Sequence, residues 1–488
     1  MAALMATKKS ENKKAPAPVK GVFKREDAVN KLSPEERKAL DAYVSVYMNY
    51  LSVAKTERRA YAEAVRLLEA RGFRPLASLK SLKPGDKVYR GYHGKTLFAA
   101  VVGKEPVSGG VRVVGGHTDA PRIDLKPVPL CEKNGIAYFD THYYGGIKKF
   151  QWVAHPLALY GTAVRKDGSK VEIAIGDKPG DPVFMISDIL PHLGQEQAAK
   201  VLADAFPGEN LDLVIATTPC PADADDGEVK EKVKLHVMRI LEKEYGLTEQ
   251  DLISAELEIV PAGLPREMGL DRSLITGYGH DDRICAFAGL QAMMDVKGVP
   301  AKTAVVLLCD KEEIGSVGAT GMDSTFFENS IAELVFRQEK NYSDILVRRA
   351  LEASSMLSAD VCAADDPLFP GSSSPGNMAK LNAGACVIKY TGSRGKVMAN
   401  DASAEFVARL REIFDAAGVV WQVGELGRVD VGGGGTIAMY MSHYGMNVID
   451  MGTPLLNMHA PWEVASKLDT YMTYKAYKAF FEAAAELA

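Results

Sequence analysis

Thr303-Ala304-Val305-Val306-Leu307-Leu308-Cys309-Asp310-Lys311-Glu312-Glu313-Ile314-Gly315-Ser316 is the stretch on which the fold turns. Its first seven residues are apolar or β-branched without alternation, the pattern of a strand buried on both faces, as in the parallel sheets of α/β proteins. Glu312 and Glu313 then fall at the carboxyl end of that strand, where α/β sheets collect their ligands. Taken alone, an acidic pair on a loop is a solvated turn, because charge belongs on the surface by default. The question is whether other stretches bring compatible side chains to the same edge.

Several do. Val111-Arg112-Val113-Val114-Gly115-Gly116-His117-Thr118-Asp119 is again a short apolar strand ending in glycines and titratable groups. A histidine that binds metal through one ring nitrogen needs its other N–H held by a carboxylate or carbonyl, and Asp119 is placed to supply it. His280-Asp281-Asp282-Arg283 precedes a helical pattern over 284–296, so Asp281 or Asp282 either caps that helix or serves a site. Met356-Leu357-Ser358-Ala359-Asp360-Val361 places another carboxylate after an apolar run. Near the end, Asn447-Val448-Ile449-Asp450-Met451-Gly452 reads as a strand and leads to Leu456-Asn457-Met458-His459. The glycines Gly432 to Gly435 could present backbone N–H groups to an anion, although without a following Lys they form no P-loop.

Outside these stretches the chain reads as scaffold. Ser33-Pro34-Glu35-Glu36 carries a capping serine, a proline at the first helical position and a glutamate that closes a capping box. Leu40, Tyr43, Val44, Tyr47 and Leu51 follow with helical spacing, and a second helix runs from about Thr56 to a terminal Gly72. Between 120 and 276 the texture shifts to short β-like runs (136–139, 171–175), with helical patterns at 195–205 and 229–245 and an acidic loop from Asp223 to Asp226. Beyond it, a strand at 385–390 and a helix through Phe406, Leu410 and Ile413 continue the strand and helix alternation of an α/β layer.

Composition narrows the function. With 488 residues the chain is long enough for more than one domain, and 47 % apolar with 25 % charged residues is a globular balance. A net charge of −5 offers no basic field for a nucleic-acid backbone. No apolar run approaches the roughly 20 residues of a membrane span. The six cysteines are scattered without a Cys-x-x-Cys pair, as in a reduced cytoplasmic protein. Residues 1–20 lack the apolar core of about 7 to 15 residues that marks a signal peptide, and read as a disordered leader.

His117, Asp281, Glu312, Glu313, Asp360 and His459 all fall at the ends of expected elements. Two histidines with several carboxylates are the donors that two divalent ions roughly 3.5 to 4 Å apart require, one carboxylate bridging them. A spare carboxylate can then serve as general base. Zinc suits such ligands first; cobalt or manganese is permitted by the same types.

At this point the chain resembles the aspartyl aminopeptidase and vacuolar aminopeptidase I family of dizinc exopeptidases. The resemblance runs over nearly the whole length after the leader and rests on Ala70-Arg71-Gly72-Phe73, Gly116-His117-Thr118-Asp119, Tyr144-Gly145-Gly146, Asp281-Asp282-Arg283, Glu312-Glu313-Ile314-Gly315-Ser316, Ser358-Ala359-Asp360, Val387-Ile388-Lys389 and Asp450-Met451-Gly452 through Met458-His459, in the family's order. It implies an α/β fold, a three-layer catalytic sandwich around a mixed, mostly parallel sheet. The catalytic domain would comprise 21–120 and 275–488, interrupted at 121–274 by a β-rich dimerisation domain.

The resemblance further implies that Asp281 bridges two metals, that His117 and Asp360 complete one site, and that Glu313 and His459 complete the other. Asp119 and Glu312 form the catalytic set, Glu312 as the base that takes a proton from the attacking water and returns it to the leaving amine. Asp282 would help position Asp281, where relatives use a cis peptide. Substrates would be peptides with a free N-terminus, and the assembly a homo-oligomer, a tetrahedral dodecamer. Substrate contacts would come from His155, Lys389 and Gly433. His155 stands near where relatives carry a histidine that reaches a neighbouring active site, whereas Phe150 and Ala154 depart from the family pattern, which weakens the case for an acidic side-chain preference. Two other functions use much the same features: a dimetal deacylase or carboxypeptidase, and a catalytically silent self-assembling scaffold, whose signature would be a lost ligand or base.

Overall fold

The computed structural model describes residues 28–176, 178–221 and 230–484. The leader at 1–20, the acidic run from Asp223 to Asp226 and Val229, where a helix was expected to begin, lie outside the described residues.

The described chain is a mixed α/β protein with three sheets. The unbroken apolar run at 303–309 forms the strand Thr303–Cys309, within a nine-stranded sheet. It pairs in parallel with Val111–His117 and antiparallel with Thr96–Val101. Beyond Val111–His117 come Ser355–Ala359 and Asn447–Gly452, both parallel, so the centre of the sheet is four parallel strands.

The lack of alternation in the strand Thr303–Cys309 now has its cause. Ala304, Val306 and Leu308 pack into one core with the helices Pro34–Val53, His280–Met294 and Lys467–Glu482. Val305, Leu307 and Cys309 pack into a second core with Phe326–Gln338 and Asp344–Glu352. Both faces of the strand are removed from water, each buried aliphatic side chain contributing about 1.5–3 kcal/mol of transfer free energy. The capping box is formed as expected, Ser33 Oγ accepting the Glu36 N–H and the Glu36 carboxylate accepting the Ser33 N–H, both at 3.1 Å.

The β-like texture after residue 120 becomes a seven-stranded sheet, wholly antiparallel, that runs from the strand Arg122–Lys133 to Ala255–Pro261 around its own core. The strand seen at 136–139 extends over Ile136–Tyr144. The single helix expected at 195–205 is two short ones, Gln195–Ala198 and Leu202–Ala205, separated by extended Val201. Neither buries a residue, so no core contact holds the segment as one helix. A five-stranded sheet joins Arg266–Met268 and Leu274–Gly277 to Glu463–Ser466, Pro454–Leu456 and Cys362–Ala363. All six cysteines are free thiols. Among the described residues no helix is long and apolar enough to cross a membrane.

Buried charges stitch the seven-stranded sheet to the nine-stranded one. Glu57, at the start of the helix Glu57–Ala70, meets Lys95 at 2.9 Å and Arg122 at 3.4 Å, and Arg122 also meets Glu258 at 3.3 Å. Lys95 lies 3.9 Å from Asp310, the residue that opens the turn carrying Glu312 and Glu313.

Candidate metal centre

Each candidate side chain is delivered by an element end. His117 closes its strand, paired in register with Cys309, which puts it beside the turn after Thr303–Cys309. In that turn Lys311, Gly315 and Ser316 all have positive φ, and residues Glu312–Ile314 form one 3-10 turn that aims two adjacent carboxylates at the same place. Asp360 follows directly on Ser355–Ala359. Asp281 sits in the first turn of the helix His280–Met294, where it and Asp282 depart from helical dihedrals and the bond between them is cis. His459 lies in the loop between Pro454–Leu456 and Glu463–Ser466, with φ of 66°.

These six residues converge. The two Asp281 oxygens divide between the histidines, Oδ1 at 3.2 Å from His117 Nε2 and Oδ2 at 3.2 Å from His459 Nε2. Donor atoms of His117, Asp281 and Asp360 lie within 4.8 Å of one another, as do those of Asp281, Glu313 and His459; His117, Glu312 and Glu313 form a third, overlapping group.

The electrostatics ask for cations. Burial, with Asp281 and Asp119 nearby, pushes Glu312 up to about 7 despite the opposing His117. Burial and Asp281 push Glu313 well above the carboxylate range, and burial with Asp282 and Glu312 does the same to Asp360. Burial would lower His459, yet its bond to Asp281 and the Glu313 charge raise it to about 10. Glu313 Oε1 is buried without a protein donor. Four carboxylates thus share one pocket with two imidazoles, a deficit of positive charge that two divalent ions would fill with an all-N,O donor set suited to zinc. The residues present therefore fit that metal.

A surrounding shell fixes the donors. His117 Nδ1 faces the Asp119 carbonyl at 3.1 Å and its carboxylate at 3.3 Å, so both groups hold the ring. The same Asp119 carboxylate accepts the backbone N–H groups of Glu312 and Glu313, each at 3.2 Å, and the Tyr144 hydroxyl at 2.8 Å. It therefore clamps the glutamate turn to the histidine strand. Asp282 Oδ2 takes the His117 backbone N–H at 3.4 Å. His459 Nδ1 faces the Gly146 carbonyl at 2.9 Å. Buried Glu463 receives the backbone N–H of Asp281 at 3.0 Å and that of His459 at 2.8 Å. Sequence reading passed over Glu463; the signal available was a glutamate inside the otherwise apolar run Trp462-Glu463-Val464-Ala465.

The expected substrate residues fare differently. Gly433 lines a cavity of about 240 Å3 that opens onto Asp281, Glu312, Asp360 and His459. Its φ is 130°, and a Cβ there would come within 2.3 Å of the Gly392 carbonyl oxygen, so the position requires glycine. Lys389 does not line that cavity; its ammonium stands 3.6 Å from the Asp401 carboxylate. His155 joins neither cavity nor cluster within one chain. It is half-buried against Trp152, and burial lowers its pKa.

Comparison with known proteins agrees with this geometry. The family model for the aminopeptidase I zinc metalloproteases (M18) matches residues 50–481. A curated relative from Clostridium acetobutylicum, a probable M18 family aminopeptidase 1, is 47 % identical over 93 % of this chain and 97 % of its own length. The crystal structure of an M18 family aminopeptidase from Thermotoga maritima superposes with a TM-score of 0.90 at 44 % identity, covering 94 % of this chain and all of that one. At 21 % identity the S. cerevisiae mApe1 dodecamer shares the fold, with a TM-score of 0.72 over 91 % of this chain and 97 % of its own.

Proposed function

Since the chain belongs to the M18 family of aminopeptidase I zinc metalloproteases and is a zinc metallo-aminopeptidase, we propose that His117, Asp281, Glu313, Asp360 and His459 hold two zinc ions per subunit, with Glu312 as general base. Asp281 would be the ligand common to both ions, His117 and Asp360 would complete one site, and Glu313 and His459 would complete the other. The observation that carries this reading is the split of the Asp281 carboxylate, one oxygen toward each histidine at 3.2 Å. Bound zinc supplies Lewis acidity, polarising the substrate carbonyl and making the attacking water acidic.

The side chains do the rest. In this reading Glu312 is the carboxylate left over from ligation, and its place in the lining of the cavity beside the cluster supports a role next to the substrate carbonyl. There it takes a proton from the attacking water and delivers it to the leaving amine nitrogen. Asp119 holds the His117 ring and the backbone of Glu312 in one geometry, so ligand and base keep their separation during turnover.

In this reading the catalytic domain is a three-layer sandwich built from 21–120 and 275–488, and the β-rich insertion at 121–274 mediates dimerisation within a cytoplasmic homo-oligomer. A tetrahedral dodecamer is the assembly we favour, because the yeast relative of this fold is a dodecamer. The substrates are peptides with a free N-terminus, and His155 serves a neighbouring subunit. A silent scaffold would have lost a ligand or the base, and every member of the set is present. Metal analysis tests the centre: the wild type carries two zinc ions per subunit and Asp281→Asn neither, whereas one ion retained by that variant refutes the bridge.

A further inference from the structure

The buried charges that join the two larger sheets have a use that stability does not explain. Buried ion pairs repay little more than their own desolvation, and well-packed apolar side chains usually do as well. Here the charges back a tyrosine that is aimed at the metal centre. Arg122 is held by Asp124 at 2.7 Å, Glu258 at 3.3 Å and Glu57 at 3.4 Å, and its guanidinium lies over the Tyr144 ring, 3.9 Å from the centroid. Arg122 and Tyr144 are cross-strand partners at the open end of the hairpin formed by Arg122–Lys133 and Ile136–Tyr144. One face of the ring is thus covered by a planar cation that three acidic side chains keep in place.

The ring so fixed presents its hydroxyl to Asp119, donating to Oδ2 at 2.8 Å. Asp119 Oδ1 faces His117 Nδ1 and accepts the Glu312 N–H, while Oδ2 also accepts the Glu313 N–H. The terminal torsion of an aspartate is soft, so the carboxylate plane is set by its donors. Losing the hydroxyl frees that plane and loosens the histidine and the glutamate turn together. The chain beyond Tyr144 comes equally close. A Cβ on Gly145, whose φ is 75°, would stand 3.3 Å from Glu313 Cβ, and one on Gly146 would stand 3.3 Å from His459 Nδ1. The end of this inserted strand therefore touches both halves of the centre. We propose that Tyr144 is a positioning residue for His117 and Glu312, acting through Asp119, and that the inserted sheet sets the geometry of the metal centre through it. The inference rests on the active-site reading above, in which His117 is a ligand and Glu312 the base.

The test uses the full-length protein and compares Tyr144→Phe with Tyr143→Phe, whose exposed side chain lies on the other face of the strand. In Tyr144→Phe zinc affinity, read by competition with a chelating indicator, should fall about 10- to 100-fold, the range for a group that orients a ligand. At saturating zinc, kcat on a leucyl amide should fall by a similar factor, with KM nearly unchanged because Tyr144 is outside the cavity lining. The metal-free variant should melt within about 4 °C of the metal-free wild type, the effect of one lost hydrogen bond in a chain of this size. Tyr143→Phe should match the wild type in all three readings. Arg122→Lys keeps the charge among the acidic side chains but not the flat cover of the ring, and should move zinc affinity and kcat in the same direction as Tyr144→Phe. If Tyr144→Phe fails to fold, Arg122→Lys decides by the same readings. Wild-type zinc affinity and kcat in Tyr144→Phe, losses no greater than those of Tyr143→Phe, or a lowered metal-free melting temperature with kcat unchanged overturns the proposal while leaving the zinc site standing. A wild type that binds no zinc overturns both.

Discussion

The Glu463 carboxylate receives the backbone N–H of Asp281 at 3.0 Å, and through its other oxygen it also holds the N–H of His459. One buried side chain therefore fixes the spacing of two proposed ligands that lie far apart in sequence. Residues of this kind typically shift metal affinity 10- to 100-fold when removed. Glu463→Ala is expected to weaken zinc binding by about that factor, read by competition with a chelating indicator. Unchanged affinity would show that the loop keeps its shape without it.

Glu312→Gln keeps the size and hydrogen-bonding reach of the side chain but cannot accept the proton. The variant should bind zinc as the wild type does and lose about 10²- to 10⁴-fold in kcat, the range for a positioned general base. Steady-state kinetics on a leucyl amide, with metal content measured in parallel, checks this. Full activity would remove Glu312 from the role.

Stripping the metal should abolish hydrolysis and also lower the melting temperature, because ions that bind only the folded state stabilise it by mass action. For each site held at a thousandfold its Kd that stabilisation is about 4 kcal/mol. Calorimetry of chelated and reloaded protein measures it. A melting temperature indifferent to zinc would contradict a centre drawn from five separate elements.

The Glu57 contact to Lys95 and Arg122 predicts an acid limb. Burial alone would raise Glu57, but Arg122 and Lys95 outweigh it and hold it below the usual carboxylate range. Burial pushes the neighbouring Glu258 well above that range, so of these two carboxylates Glu57 is the one the cations hold ionised. A carboxylate whose folded pKa is depressed contributes stability that is present above its unfolded value, about 4.5, and lost as pH falls below it. Glu57→Gln should cost about 1.5–3 kcal/mol at neutral pH, the range for a hydrogen bond to a charged group, since Arg122 keeps Asp124 and Glu258 and Lys95 keeps Glu256, and should flatten the loss between pH 5 and 3. Urea unfolding across that range is the measurement. A variant with unaltered acid sensitivity would shift the effect to another carboxylate.

The sequence by itself determined the strands and most of the candidate centre. Unbroken aliphatic runs at Val305 to Leu308 and Ile449 have one economical fate, burial between two layers, and the polar residues that follow such runs must lie at a sheet edge. That is why His117, Glu312, Glu313 and Asp360 were legible, and resemblance supplied how they divide. Tertiary structure alone decided what depends on neighbours distant in the chain. The helix expected at 195–205 broke because nothing packs on it. Glu463 became a support only when its strand met the Asp281 turn, and the cavity beside the cluster formed only when the Gly433 loop came to line it with Asp281, Glu312 and Asp360. Patterning follows local periodicity, whereas the cost of a buried charge depends on what the whole fold puts within reach of it.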